Sequence, residues 1–131
     1  MTIDVFTFCD FAQDNNGKLT VVGTFNMLSV AKLPSIHQNL FLAIKVTFTP
    51  EEAGSHTIKV SLEDKSTGEP LLPAFTLTTE KVFSANGRNM SVNLPINAPA
   101  VSLEREGTYV GTVTVDDKLQ QSTELYVQKR T

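Results

Sequence analysis

The sequence predicts an all-β fold in which two antiparallel sheets pack face to face as a sandwich of eight or nine strands. Three observations carry this. Apolar residues recur with the two-residue period of a strand. The apolar residues are mostly Val, Leu, Ile and Phe, accompanied by abundant Thr, the types that pack well on a pleated surface. Clusters of Gly, Pro, Asn and Asp separate the runs at short intervals, and no stretch carries the 3.6-residue beat of an amphipathic helix. A closed barrel satisfies the same pattern and stands as the alternative.

The first run, residues 3–11, puts Ile3, Val5, Thr7, Cys9 and Phe11 on one face and Asp4, Phe6, Phe8 and Asp10 on the other. Asn16-Gly17 is a pair that tolerates positive φ, so this run and residues 18–25 form a hairpin. Residues 28–33 read as a short strand ended by Pro34, which lacks an amide hydrogen, and a loop follows to Asn39. Over residues 40–49 the alternation is cleanest: Leu40, Leu42, Ile44, Val46 and Phe48 share one face. One helical turn at residues 50–54 precedes a half-solvated strand at 56–64, with Ile58, Val60 and Leu62 facing in. Pro73 within residues 71–79 and Pro95 within residues 90–96 mark edge positions, because a proline cannot donate to a central ladder. Residues 108–116 and 122–128, joined through Asp116-Asp117-Lys118, close the chain as a hairpin.

The chain has 131 residues, of which 40% are hydrophobic and 19% charged, a composition that implies one domain over residues 1–131 able to fold on its own core. The net charge is −3 and the 11 basic residues are dispersed, which argues against a nucleic-acid partner. No apolar run is long enough for a membrane-spanning helix, and no basic segment followed by an apolar run opens the chain, so membrane association is not expected and a cytoplasmic location is. A sandwich without disulfides also suits a periplasmic protein. Cys9 is the single cysteine, so packing alone must hold the fold.

Leu103, Glu106-Gly107-Thr108-Tyr109 and Gly111 resemble the tyrosine corner of immunoglobulin-like sandwiches, in which a Tyr near the start of a late strand ties the crossover between sheets. Gly111 stands where disulfide-bonded members carry a Cys. Cys9-Asp10-Phe11-Ala12, residues 17–25, Leu33-Pro34 and Ala53-Gly54-Ser55-His56 together resemble a small bacterial family of uncharacterised immunoglobulin-like domains. The resemblance implies a fold and supplies no activity or catalytic residue.

Function is therefore approached by elimination. Asp10, Asp14, Asp116 and Asp117 lie beside turns and could supply oxygens to a calcium site, with Asp10 and Asp116 the better candidates. No EF-hand spacing occurs, and turn chemistry accounts for all four. His37 and His56 are too few for a three-histidine metal centre and are expected to be solvated. No G-x-S-x-G elbow is present, and Cys9 sits where a thiol packs as a small hydrophobe. Neither a cofactor nor a catalytic centre is indicated.

The oddity is that Val5-Phe6-Thr7-Phe8-Cys9 and Leu40-Phe41-Leu42 are apolar on both faces, whereas a sandwich sheet buries only one. Either a crossing loop such as residues 35–39 covers the second face, or a partner chain does, an identical copy being one option. The reading favoured here is a noncatalytic interaction or structural module contacting a protein through Phe6, Phe8 and Phe41. The rival is a binder of small molecules or carbohydrate, or a small hydrolase using loop carboxylates. The absence of Trp counts against sugar stacking.

Overall fold

The computed structural model describes residues 1–79 and 85–130. Its strands are β1 (Thr2–Asn15), β2 (Lys18–Phe25), β3 (Met27–Val30), β4 (Ser35–Phe48), β5 (Thr57–Asp64), β6 (Pro70–Thr78), β7 (Met90–Leu103), β8 (Gly107–Val115) and β9 (Leu119–Lys129). They form a four-stranded sheet in the order β2-β1-β4-β7 and a five-stranded sheet in the order β3-β9-β8-β5-β6. This is the all-β, two-sheet arrangement the sequence predicts, with one departure: β3 runs parallel to β9, so the second sheet is mixed rather than purely antiparallel.

The core follows from alternation. Leu40, Leu42, Ile44, Val46 and Phe48 of β4 are each at most 1% exposed and meet Ile58, Val60 and Leu62 of β5 together with Val113 and Val115 of β8. Burying each of these side chains stabilises the fold by about 1.5–3 kcal/mol relative to leaving it in water. Phe6 and Phe8 of β1 join them. Their rings approach Gly111 so closely that a Cβ there would lie 3.3 Å from Phe8 Cζ and 3.5 Å from Phe6 Cζ. Gly111 thus makes room for two aromatic rings, which fill the space between the sheets.

Several boundaries differ from the sequence reading. Residues 35–39, expected as a loop, begin β4 and pair with β7, Ile36 opposite Ser102 and His37 opposite Val101. The alternation is masked there because both strands shift phase. Ala100 takes φ 54°, so Ala98 and Val101, three positions apart, are both buried. The same distortion carries β7 on to Leu103, well beyond residue 96. The prolines behave as expected: β6 with Pro73 and β7 with Pro95 and Pro99 are both edge strands.

The crossover from β7 to β8 is tied by Tyr109, 2% exposed, whose hydroxyl donates to the Arg105 carbonyl at 2.6 Å and accepts from the Arg105 amide at 3.3 Å. This is the tyrosine-corner geometry the motif foretells. Asp116 and Asp117, at φ 52° and 55°, turn β8 into β9.

Candidate functional site

The second apolar face is covered, and the cover is the β1–β2 hairpin itself. Cys9 and Ala12 are three positions apart, an odd spacing that a straight strand would send to opposite faces. Both are nonetheless buried in one cluster with Ala43, against which Val5, Leu19, Val21 and Phe41 pack. The phase change occurs at Asp10 and Gly23. Gly23 adopts φ +67°, a backbone that favours glycine, and a Cβ on it would run into Asp10 Oδ2.

Beyond the bend the hairpin crosses the outside of its own sheet. Asn93 belongs to β7, which is separated from β1 by β4, yet its side-chain amide donates to Asp14 Oδ1 at 3.1 Å and to the Gly17 carbonyl at 3.1 Å. The turn at Asn16 (φ 53°) and Gly17 (φ 83°) is thereby pinned over the far edge strand. Beneath it Cys9 is fully buried, and desolvation pushes its thiol pKa upward. The chain thus supplies its own cover, in place of either the 35–39 loop or a partner.

The expected contact residues are placed accordingly. Phe6 (7% exposed) and Phe8 (1%) point between the sheets and present nothing to a partner. Sequence alternation had set them on the face in need of cover; that face is instead the one bearing Cys9. Phe41 lies on the outer face, half-buried, with its ring 5.3 Å from that of Phe11. Phe11 (42% exposed) stands opposite Val22 (52%) in the hairpin register, so an exposed apolar pair tops the covering hairpin beside Phe41. Neither Phe11 nor Val22 was singled out from sequence. The signal that could have found them is the isolated glycine at position 23 inside a strand, which marks a bend.

Asp10 and Asp116 are not brought together. Asp10 is exposed at the bend, whereas Asp116 joins His56 at the opposite turn. His56 is 8% exposed, not solvated as its loop position suggested. Its Nδ1 lies 2.6 Å from Asp116 Oδ2 and its Nε2 2.6 Å from the Glu52 carbonyl, while its ring stacks on Phe48 with centroids 3.9 Å apart. A carbonyl only accepts, so Nε2 donates there. Burial raises the Asp116 carboxyl, but the Thr57 amide, the His56 ring and Lys118 outweigh it and hold the group below the usual carboxylate range. In a hydrolytic triad the second ring nitrogen must face the nucleophile. Here the Glu52 carbonyl occupies it, so the pair fastens the Pro50–Glu52 turn, β5 and the β8–β9 turn together. His37 packs its ring against Phe25, centroids 6.2 Å apart.

A cleft of about 530 Å³ opens at the tyrosine corner between Asp64, Glu69, Glu104 and Arg105. Its polar groups already engage one another: Arg105 pairs with Asp64 at 3.2 Å and Glu69 at 3.9 Å, and Ser102 donates to Glu104 at 2.8 Å. The Ser66 hydroxyl is the main influence holding the Asp64 carboxyl low, against the effect of burial and with help from the Ser66 and Thr67 amides and Arg105. Among the described residues no group of three or more His, Cys, Asp or Glu side chains could hold a metal ion.

These features define a β-sandwich domain that carries an exposed apolar pair, Phe11 and Val22, on a hairpin folded across its own sheet. The chain belongs to DUF6941, a family of unknown function whose model matches residues 4–128. No curated protein matches it. Among solved structures it is similar to the Pseudomonas fluorescens alkylpurine DNA glycosylase AlkC bound to DNA containing an abasic site analog, at 11% identity and a TM-score of 0.55 over 96% of this chain. It is also similar to a beta-glucosidase from Listeria innocua in complex with isofagomine, at 15% identity and a TM-score of 0.48 over 79% of this chain. The chain spans 30% of the glycosylase and 15% of the glucosidase, and the likeness to the glycosylase is one of fold. Among the described residues no helix is long and apolar enough to cross a membrane.

Proposed function

We propose that the domain is a noncatalytic protein-interaction module whose contact surface is the outer side of the folded-over β1–β2 hairpin. The observation that carries this reading is the exposed Phe11–Val22 pair set beside Phe41. Aromatic and aliphatic side chains held on a pinned strand lose little freedom on contact, which favours them as anchors. The tyrosine corner and the parallel β3 edge support an immunoglobulin-type reading of the sandwich, a scaffold suited to presenting such a surface. The unpaired Cys9 thiol agrees with a reducing, cytoplasmic setting.

The test is differential capture from the native host. Tagged wild type and the double variant Phe11→Ser/Val22→Ser, matched for fold by circular dichroism, are compared by quantitative mass spectrometry. Specific proteins retained by the wild type and lost with the variant are the expected outcome, and indistinguishable retention overturns the reading.

A further inference from the structure

Strand β2 is the outer edge of the four-stranded sheet and pairs only with β1. A sheet edge carries unpaired backbone groups, and natural proteins blunt it with prolines, charges or short length. Three of the four sheet edges here are blunted in these ways: β6 contains Pro70 and Pro73, β7 contains Pro95 and Pro99, and β3 has 4 residues. β2 has 8 residues, KLTVVGTF, with no proline and only Lys18 charged. Asn15 and Lys18 flank the two-residue turn as a hydrogen-bonded pair, so alternation directs the amides and carbonyls of Leu19 and Val21, short of the bend at Gly23, away from β1.

Resting on the interaction-module reading, we propose that β2 pairs antiparallel with β2 of a second copy of this chain about a two-fold axis at Val21. In that register Val21 faces Val21 and exchanges about two backbone hydrogen bonds across the axis, and Leu19 comes opposite the bend at Gly23 on either side. Thr20 comes opposite Val22 of the second copy, a pairing of β-branched side chains that packs well on a pleat. No like charges meet. Lys18 falls opposite Thr24 of the second copy, whose neighbour on β1 is Cys9, one residue from Asp10. Lys18 and Asp10 have no ion-pair partner within the chain among the described residues, and this register brings the two opposite charges to the same end of the new ladder twice. The union is isologous and closes at a dimer, because each copy uses its one open edge.

The experiment combines sedimentation over a concentration series with residue-resolved amide hydrogen exchange of the full chain. The expected result is a monomer–dimer equilibrium in which the Leu19 and Val21 amides slow with concentration, while Thr20 and Val22, already bonded to β1, exchange more slowly than they do at every concentration. Thr20→Lys/Val22→Lys places Lys against Lys across the axis at two exposed positions and should weaken association at least tenfold with the circular dichroism spectrum unchanged. A monomer at every concentration overturns the proposal, as does a dimer whose protected amides lie elsewhere or that survives the double lysine variant. The interaction-module reading stands or falls separately, since hairpin-dependent capture of a different protein would keep it while strand pairing between copies is refuted.

Discussion

The bend at Gly23 makes a quantitative claim that Gly23→Ala can test. An alanine held at φ +67° bears the left-handed backbone penalty of about 1–2 kcal/mol. Its Cβ also runs into Asp10 Oδ2 and lies 3.1 Å from Cγ and 3.3 Å from Cβ, so the carboxylate must swing away or the bend must open. Displacing a side chain or forcing it off its rotamer adds about 1 kcal/mol. The variant should lose about 2–3 kcal/mol in urea unfolding. Asp10→Ala introduced with it removes the steric part and leaves the backbone part, so the double-mutant cycle should return a coupling of about 1 kcal/mol. A second readout belongs to the fold-over itself: loosening the hairpin uncovers Cys9, which should react faster with a thiol reagent under native conditions. A loss below about 0.5 kcal/mol with unchanged thiol reactivity, the level of an ordinary surface substitution, would refute the claim that this glycine sets the bend.

Tyr109→Phe deletes the hydroxyl that bonds both the carbonyl and the amide of Arg105 and should cost about 1–2 kcal/mol by urea denaturation, while a neutral result would mean the corner holds without its bond. Asp116 titrates lower in the folded chain than in the unfolded one, so its contribution is present above the unfolded value of about 3.9 and is lost as pH falls through the folded value. Asp116→Asn should therefore lower stability at neutral pH and flatten the fall below about pH 4 in urea midpoints taken across an acid series, and a fall as steep as the wild type's would refute the linkage.

What could be read from the sequence divides along a physical line. Features set by near neighbours were legible: the unbroken alternation of Leu40 to Phe48, the Asn16-Gly17 turn, the edge prolines, and the spacing of Tyr109 from its corner. Features set by paired distortions in two strands were not. Residues 35–39 read as loop because their alternation breaks where β7 also breaks, at Ala100. The two-sided apolar character of β1 announced that both faces are covered, yet it could not say which face belonged to the core. Phe6 and Phe8 outweigh Cys9 and Ala12 in size, and the space beside Gly111 is what assigns the large pair to the interior. His56 was misread for a related reason: its partners Asp116 and Glu52 come from different segments, and only the fold brings both to the two ring nitrogens.

The folded-over hairpin links packing to presentation. To seal Cys9 and Ala43, Leu19 and Val21 must turn inward, and the two-residue beat then sends Thr20 and Val22 outward. The same bend that lays the hairpin across the sheet ends the pairing of β1 with β4 at Cys9–Phe41, leaving the distal hairpin held by the Asn93 bonds at its tip and the small apolar cluster beneath. That attachment is separate from the main core and consists of a smaller apolar cluster with a polar tie at the tip. A partner strand along β2 would add a ladder to a strand that is paired on one side only, and its binding would tighten the cover over Cys9. Association along β2 would then be coupled to protection of the thiol through one structural element.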